Sequence, residues 1–357
     1  MNVSPRKVSE ALRVLSIGTD RTLFDKESAV RVRQRAFAAR FDAFIIIVFS
    51  TARHPEVTEG SLKIMSTNSL MPLTYGFGAL RRAAAIDADI VTAQDPFETG
   101  LVAWCIAWSK RIPLHVQVHT DPFSSSFKRH SFINRIRTII ARFVLKRASA
   151  VRVVSERVAE SVERYTQAPM SVLPLYTDIA RFESLPRLKH PRFKIALLFI
   201  GRLESEKGCM QALQALKLVR SRGHDAGLTI VGSGREDHVL REFARGNGLE
   251  QHVIFCGWRA DVSSFLSEAD ALLVPSLYEG YGVVIVEALA AHVPVIAADV
   301  GVAREAGAII AESDFTQSVL AWVEHGPRTA DLKLPLIHSF DEYVDAWAQG
   351  ITEVVQQ

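Results

Sequence analysis

Short apolar runs recur along the chain, each closed by glycine, proline or polar residues and followed by a longer stretch with helical spacing. In the first half they fall at 14–17, 45–49, 90–92, 114–118 and 151–154; the second half repeats the scheme at 196–200, 228–231, 253–255, 271–274 and 293–297. Runs that are apolar throughout suit strands buried on both faces. Their alternation with helical patterns predicts βαβ units and a parallel sheet in each half. The expected fold is therefore α/β, with two Rossmann-like doubly wound domains facing a central cleft, and with ligand loops at the carboxyl ends of the strands. The stretch 181–193 is charged, carries Pro186 and Pro191, and breaks the rhythm. It is expected to link a first domain over 1–180 to a second over 194–338. In 339–357, Phe340, Tyr343, Val344, Trp347, Ile351 and Val354 stand at helical spacing and predict a closing helix.

A length of 357 residues suits two domains, and 48% hydrophobic with 23% charged residues suits a folded chain. The apolar runs fall well short of the roughly 20 residues that a membrane-spanning helix needs. Arg6, Lys7, Glu10 and Arg13 do not resemble a secretory signal, and Cys105, Cys209 and Cys256 are too scattered for a disulfide framework or a zinc site, so a reducing cytosol is expected.

Charge adds an asymmetry. Residues 1–185 hold 26 Lys and Arg against 17 Asp and Glu, a balance of +9, whereas 186–357 hold 16 against 22, a balance of −6. Eight basic residues and no acid lie between Phe127 and Arg152. Within 131–147, Phe132, Ile133, Ile136, Ile139, Ile140, Phe143 and Val144 form an apolar stripe, with Arg135, Arg137, Arg142, Lys146 and Arg147 elsewhere on the helix. This is the composition of a helix lying on an anionic membrane surface; the same stripe would equally serve to cover a sheet.

The strongest chemical signal is PSLYEGYGVVIVEA, from Pro275 to Ala288. An apolar strand ends in a loop holding Glu279, Gly280 and Gly282, and a helix carrying Glu287 follows. The glycines allow close backbone approach, and the free N–H groups near Val283 and Val284 make an anion site. GRLESEKG, Gly201 to Gly208, leaves the first strand of the second half. Arg202 and Lys207 there could converge on a diphosphate, or could simply be balanced by Glu204 and Glu206. Gly232-Ser233-Gly234 fits neither a Walker nor a dinucleotide pattern.

In this order, GRLESEKG, IVGSGRE, FCGW and PSLYEGYGVVIVEALA resemble the second domain of glycosyltransferase family 4, the retaining GT-B enzymes. The resemblance is close over about 196–305 and looser in the first half. It implies a nucleotide-diphosphate-sugar donor, with Arg202 and Lys207 on the diphosphate, Glu287 on the ribose, and Glu279 beside the sugar. Gly282, Val283 and Val284 would offer backbone amides, and Gly257 with Trp258 would lie near the base. His119, in QVHTDPF, matches a family histidine close to the reacting sugar. Asp95 and Glu98, in QDPFETG, suit either an acceptor role or helix capping. Gly18-Thr19-Asp20-Arg21 replaces the double glycine of many relatives, which points to an acceptor particular to this subgroup.

Leaving-group charge met by Arg, Lys and amides needs no metal or other cofactor. The expected activity is retaining, metal-independent transfer to a glycan or lipid-linked acceptor in polysaccharide synthesis, with no nucleic-acid partner. A hydrolysing sugar-nucleotide epimerase and a noncatalytic nucleotide-sugar-binding subunit share the architecture and remain alternatives. A nicotinamide oxidoreductase is disfavoured because neither opening loop reads GxGxxG.

Overall fold

Chain segments that hide both faces must pair their backbone groups with neighbours, and the apolar runs accordingly become strands. The computed structural model describes residues 12–356 apart from 313, 336 and 338. The chain divides into two units, one running to Pro174 and resuming at Ser339, the other spanning Leu175 to His338.

The first unit holds strands β1 (Arg13–Gly18), β2 (Ala43–Val48), β3 (Val57–Glu59), β4 (Leu62–Ser66), β5 (Ile90–Ala93), β6 (Leu114–Val118), β7 (Ala150–Val153) and β8 (Met170–Val172). Their order is β3-β4-β2-β1-β5-β6-β7-β8, parallel except for the β3–β4 hairpin. Leu15, Ile17, Ile46, Ile64 and Ile90 are fully buried in this sheet. The C-terminal helix Phe340–Val355 belongs to the same unit. Its Trp347 packs among Phe37, Phe41 and Phe44.

A buried polar row runs beneath that helix. Thr92 Oγ1 lies 2.9 Å from His115 Nδ1, and Gln117 Oε1 accepts from Arg152 at 2.9 Å and from Trp347 Nε1 at 3.4 Å. Arg152 also donates to Tyr343 Oη at 3.0 Å and to the Leu173 carbonyl at 2.8 Å. A buried guanidinium held by neutral oxygens fixes the helix where the chain leaves the unit.

The second unit holds β9 (Ile195–Ile200), β10 (Ala226–Val231), β11 (Val253–Gly257), β12 (Ala271–Val274), β13 (Val295–Ala297) and β14 (Ile309–Ile310), all parallel, in the order β11-β10-β9-β12-β13-β14. The order reverses between β9 and β12. Loops leaving those two strands are therefore neighbours at the carboxyl edge, where doubly wound sheets bind ligands.

The span 181–193 packs on this second unit. Leu188 donates its N–H to Ser267 O at 2.8 Å and Arg187 donates to Leu266 O at 3.2 Å, while the helix Ile179–Glu183 lies against the helix Val283–Ala290.

Candidate active site

Three glycine-bearing loops of the second unit are laid backbone on backbone. Gly201 donates to Val231 O at 3.0 Å, Leu203 to Ser233 O at 3.0 Å and Gly232 to Gly257 O at 2.9 Å. Gly232 has φ +148°, and a Cβ there would overlap the Gly201 carbonyl oxygen; a Cβ on Gly234 would run into Leu203 O. The GSG segment thus serves packing, holding the β9 loop down so that its side chains are presented at the strand edge.

The β9 loop is hooked in turn to the β12 loop. Leu277 N–H donates to Glu206 O at 2.8 Å. Lys207 closes a short turn before Gly208, whose φ of +69° brings it against the Pro275 carbonyl. Lys207 Nζ then donates to both oxygens of Glu279, at 2.6 and 2.7 Å, and Ser276 Oγ donates to the same carboxylate at 2.7 Å. Both side chains of the pair are largely buried, at 19% and 12% exposure. An ammonium has three N–H donors, and Glu279 takes two of Lys207's. Arg202 donates to Glu206 at 2.9 Å while its guanidinium stays 68% exposed. Local balancing therefore holds for Arg202 with Glu206, whereas Lys207 reaches 72 residues along the chain.

Gly282, at φ +88°, turns the chain into the helix Val283–Ala290, and no side chain caps it. The first N–H groups of a helix have no intrahelical partner, which leaves those of Val283 and Val284 pointing outward. Gly301, at φ +51°, lies on the Tyr281 carbonyl, and Val302 N–H donates to that same oxygen at 2.9 Å. On the helix itself Glu287 is half-buried, and no hydrogen bond to its carboxylate is found among the described residues. Burial raises its pKa, the Arg181 charge lowers it and Asp261 raises it. Arg181 and Asp261 pair with each other at 2.6 Å. Gly257, at φ +69°, ends β11 and is followed by the exposed Trp258.

His119 belongs to the first unit, just beyond β6. Burial, with help from the Arg152 charge, lowers its pKa to about 3, so the imidazole is neutral near pH 7 and offers hydrogen bonds rather than positive charge. Nearby, Asp121 accepts from Phe123 N–H at 2.8 Å and Ser161 Oγ at 2.6 Å. Asp95 accepts from Phe97 N–H at 2.8 Å and burial raises its pKa, while Glu98 pairs with Arg137 at 2.9 Å. A local turn hydrogen bond and an ion pair account for these acids, and no side chain caps the helix Glu98–Lys110. Among the described residues no group of three or more His, Cys, Asp or Glu side chains could hold a metal ion.

Residues 194–325 match the family model described as glycosyl transferases group 1, and residues 52–175 match a glycosyl transferase 4-like domain. The chain is a GT-B-fold protein related to the group 1 glycosyltransferases. Over 209 residues it is 29% identical to the 2-deoxystreptamine glucosyltransferase of Streptomyces kanamyceticus, a match covering 53% of this chain and 54% of that protein. Over 147 residues it is 37% identical to the phosphatidyl-myo-inositol mannosyltransferase of Mycolicibacterium smegmatis, covering 40% and 36%. The chain thus spans about half the length, or less, of these curated relatives. In fold it resembles the sucrose-phosphate synthase of Thermosynechococcus elongatus, with TM-score 0.68, 15% identity and 97% of each chain covered. It also resembles Anabaena HepE solved with UDP and glucose, with TM-score 0.66, 18% identity and coverage of 97% and 96%.

Within this group 1 domain the β9 and β12 loops bring Arg202, Lys207, Glu279 and the Gly282–Val284 turn to one sheet edge. Sequence reasoning missed Ser276 as a partner of Glu279; it offered Glu204 and Glu206 as balances for Arg202 and Lys207, and the fold pairs Glu206 with Arg202 and gives Lys207 to Glu279 instead. It also missed Arg152, read only as one of a basic run. A cation in the middle of an apolar strand was the available signal.

Proposed function

We propose that the chain transfers a sugar from a nucleoside diphosphate sugar to a glycan or lipid-linked hydroxyl, without a metal ion and with retention at the anomeric carbon. The observation that carries this reading is the Lys207 ammonium clamped by Glu279 beside an uncapped helix start at the β9/β12 reversal. As the bond from the anomeric carbon to the diphosphate oxygen breaks, negative charge grows on the leaving group. The third N–H of Lys207, the exposed Arg202 guanidinium and the Val283 and Val284 amides are suited to receive it. The acceptor oxygen bonds to the anomeric carbon on the face that the diphosphate leaves, and its proton passes to the departing diphosphate. Glu287 accepts from the ribose hydroxyls and the Gly257 loop lies by the base. HepE solved with UDP and glucose, and relatives named as glucosyl- and mannosyltransferases, support a nucleotide-sugar donor. Binding of one nucleotide sugar stabilises the fold by RT ln(1 + [L]/Kd), so a thermal-shift screen of uridine, guanosine and adenosine diphosphate sugars identifies the donor. With an α-linked donor, proton NMR of the first-formed product is expected to show an α linkage. A β product overturns retention; nucleotide release without acceptor, or no turnover of any stabilising donor, overturns transfer.

We further infer that the first unit docks on an anionic membrane surface. The helix Phe132–Leu145 buries Asn134, Thr138, Ala141, Val144 and Leu145. Phe132, Ile133, Ile136 and Ile139 remain exposed, at 73, 58, 44 and 66%. Of the stripe read from sequence, Val144 therefore serves the core and Ile140 and Phe143 are half-buried, but four large apolar residues cover nothing. Arg135, Arg142, Lys146 and Arg147 are exposed on the same helix or just beyond it, each contributing about 1 kcal/mol near an anionic surface. Among the described residues no helix is long and apolar enough to cross a membrane. Sedimentation is expected to carry the protein down with phosphatidylglycerol vesicles at low salt, less at high salt, and not with phosphatidylcholine alone. Phe132→Ser with Ile136→Ser is expected to release it. Equal partitioning to both vesicles, or none to either, removes this reading.

A further inference from the structure

Helix Glu98–Lys110 and helix Phe132–Leu145 lie side by side in the first unit, and a groove of about 690 Å³ opens at their carboxyl-terminal ends. Leu114, the first residue of β6, and Ser149, just before β7, also line it. The groove is thus at the amino edge of the sheet, with the length of β6, roughly 16 Å, between it and the start of the His119 loop. Its wall is aromatic. Trp104 and Trp108 stand one turn apart with their rings 6.4 Å from each other, and Trp108 is 74% exposed. Two guanidiniums, Arg111 and Arg147, and no carboxylate are among the lining side chains.

Both arginines are exposed, and Arg147 is held by its neighbours. Arg147 lies 3.7 Å over the Phe143 ring and donates to the Phe143 carbonyl at 3.1 Å, while Phe143 packs edge-on against Trp104. Arg111 ends its helix in the left-handed region at φ +58°, an uncommon conformation for a residue with a side chain. Nothing in the proposed transfer uses these residues.

We propose that this groove is a second saccharide site, selective for sugars bearing a carboxylate or phosphate. A flat, exposed indole suits the apolar face of a pyranose ring, and two planar guanidiniums with no competing acid suit the anionic substituent. The volume falls in the range of small-molecule sites, and Ser149 and Ser109 add polar groups to the concavity. A membrane surface would be met by the convex apolar residues Phe132 to Ile139; a concave, aromatic and cationic groove favours a discrete ring. The proposal deepens the transferase reading by giving a polymeric acidic acceptor a hold away from the donor loops, yet binding at the groove needs neither donor nor turnover.

The test is calorimetry on the full chain with trigalacturonate and with maltotriose, without nucleotide. Trigalacturonate is expected to bind and maltotriose to bind at least about tenfold more weakly, the scale of one lost charge-assisted hydrogen bond. Trp108→Ala and Arg147→Gln are each expected to weaken trigalacturonate about tenfold, with circular dichroism and nucleotide-sugar thermal shifts unchanged. Equal binding of both trisaccharides, or acid-selective binding untouched by both variants, overturns the proposal. So does a Trp108→Ala variant that loses phosphatidylglycerol vesicles while keeping trigalacturonate, which would make the groove a lipid site. Failure of transfer with every donor, with trigalacturonate still bound, would count against the transferase reading alone.

Discussion

Lys207→Ala is expected to lower turnover by about 10² to 10³, the effect of removing one preorganised group that meets transition-state charge, and to weaken donor binding as well. The same substitution strands Glu279, which is 12% exposed and would keep, among the described residues, only its bond from Ser276. Breaking a buried pair by removing one partner costs about 3–5 kcal/mol, and the residual exposure of this pair places it at about 3. Glu279→Gln is expected to behave differently. Its amide oxygen can still accept from Lys207 and Ser276, but the NH2 that replaces the second carboxylate oxygen cannot, so the ammonium loses its counter-charge and its fixed aim; stability falls too, though less than in Lys207→Ala, and turnover falls while donor affinity is largely kept. Replacing both residues, by Lys207→Met and Glu279→Leu, is expected to recover most of the stability without recovering turnover, because the two sites are coupled for folding but only the charged pair serves the chemistry. Urea midpoints, nucleotide-sugar titrations and single-turnover rates separate the three outcomes. A Lys207→Ala protein within twofold of the parent in both midpoint-derived stability and turnover would sink the assignment.

Gly232→Ala is the second large effect. At φ +148° a side chain is strained by its own backbone, and here the added Cβ would also overlap the Gly201 carbonyl oxygen. That oxygen cannot retreat freely, since Gly201 donates to Val231 and Gly232 donates to Gly257, tying three strand ends together. A destabilisation of about 3 kcal/mol or more is expected from strain and overlap together. Donor binding is expected to fall with it, because Arg202 follows the displaced residue directly. Gly246→Ala is the control. Gly246 ends the helix Asp237–Gly246, its φ is not positive, and nothing lies within 4 Å of an added Cβ, so about 0.4–1 kcal/mol of stabilisation is expected. If urea unfolding finds Gly232→Ala no worse than Gly246→Ala, the three-loop clamp plays no part in holding the site.

The polar row beneath the C-terminal helix shows why part of the first unit was not legible. His115, Gln117 and Arg152 sit in strands that periodicity identifies correctly, but alternation says only which residues share a face. Their partners, Thr92, Tyr343 and Trp347, come from as far as 230 residues away. The helix of Phe132 to Leu145 makes the same point in reverse. Its apolar spacing was read from sequence as either a core stripe or a surface stripe. Packing chose the small and polar residues Asn134, Thr138 and Ala141, with Val144 and Leu145, for the buried side.

By itself the sequence determined the parallel centre of each sheet and the loops that carry charge, because buried strands impose apolar runs and sharp turns impose glycine, both of which are local demands; it did not mark β3, β4, β8 and β14, which are two or three residues long or, in β4, interrupted by Lys63. The tertiary structure alone decided which charges meet. Lys207 pairs with Glu279 and Arg202 with Glu206 because the strand order reverses between β9 and β12, and that order is written in long-range pairing rather than in any stretch of chain. It likewise decided that 181–193 packs on the second unit while Phe340–Val355 packs on the first, since an amphipathic face records that it must be buried but not against what.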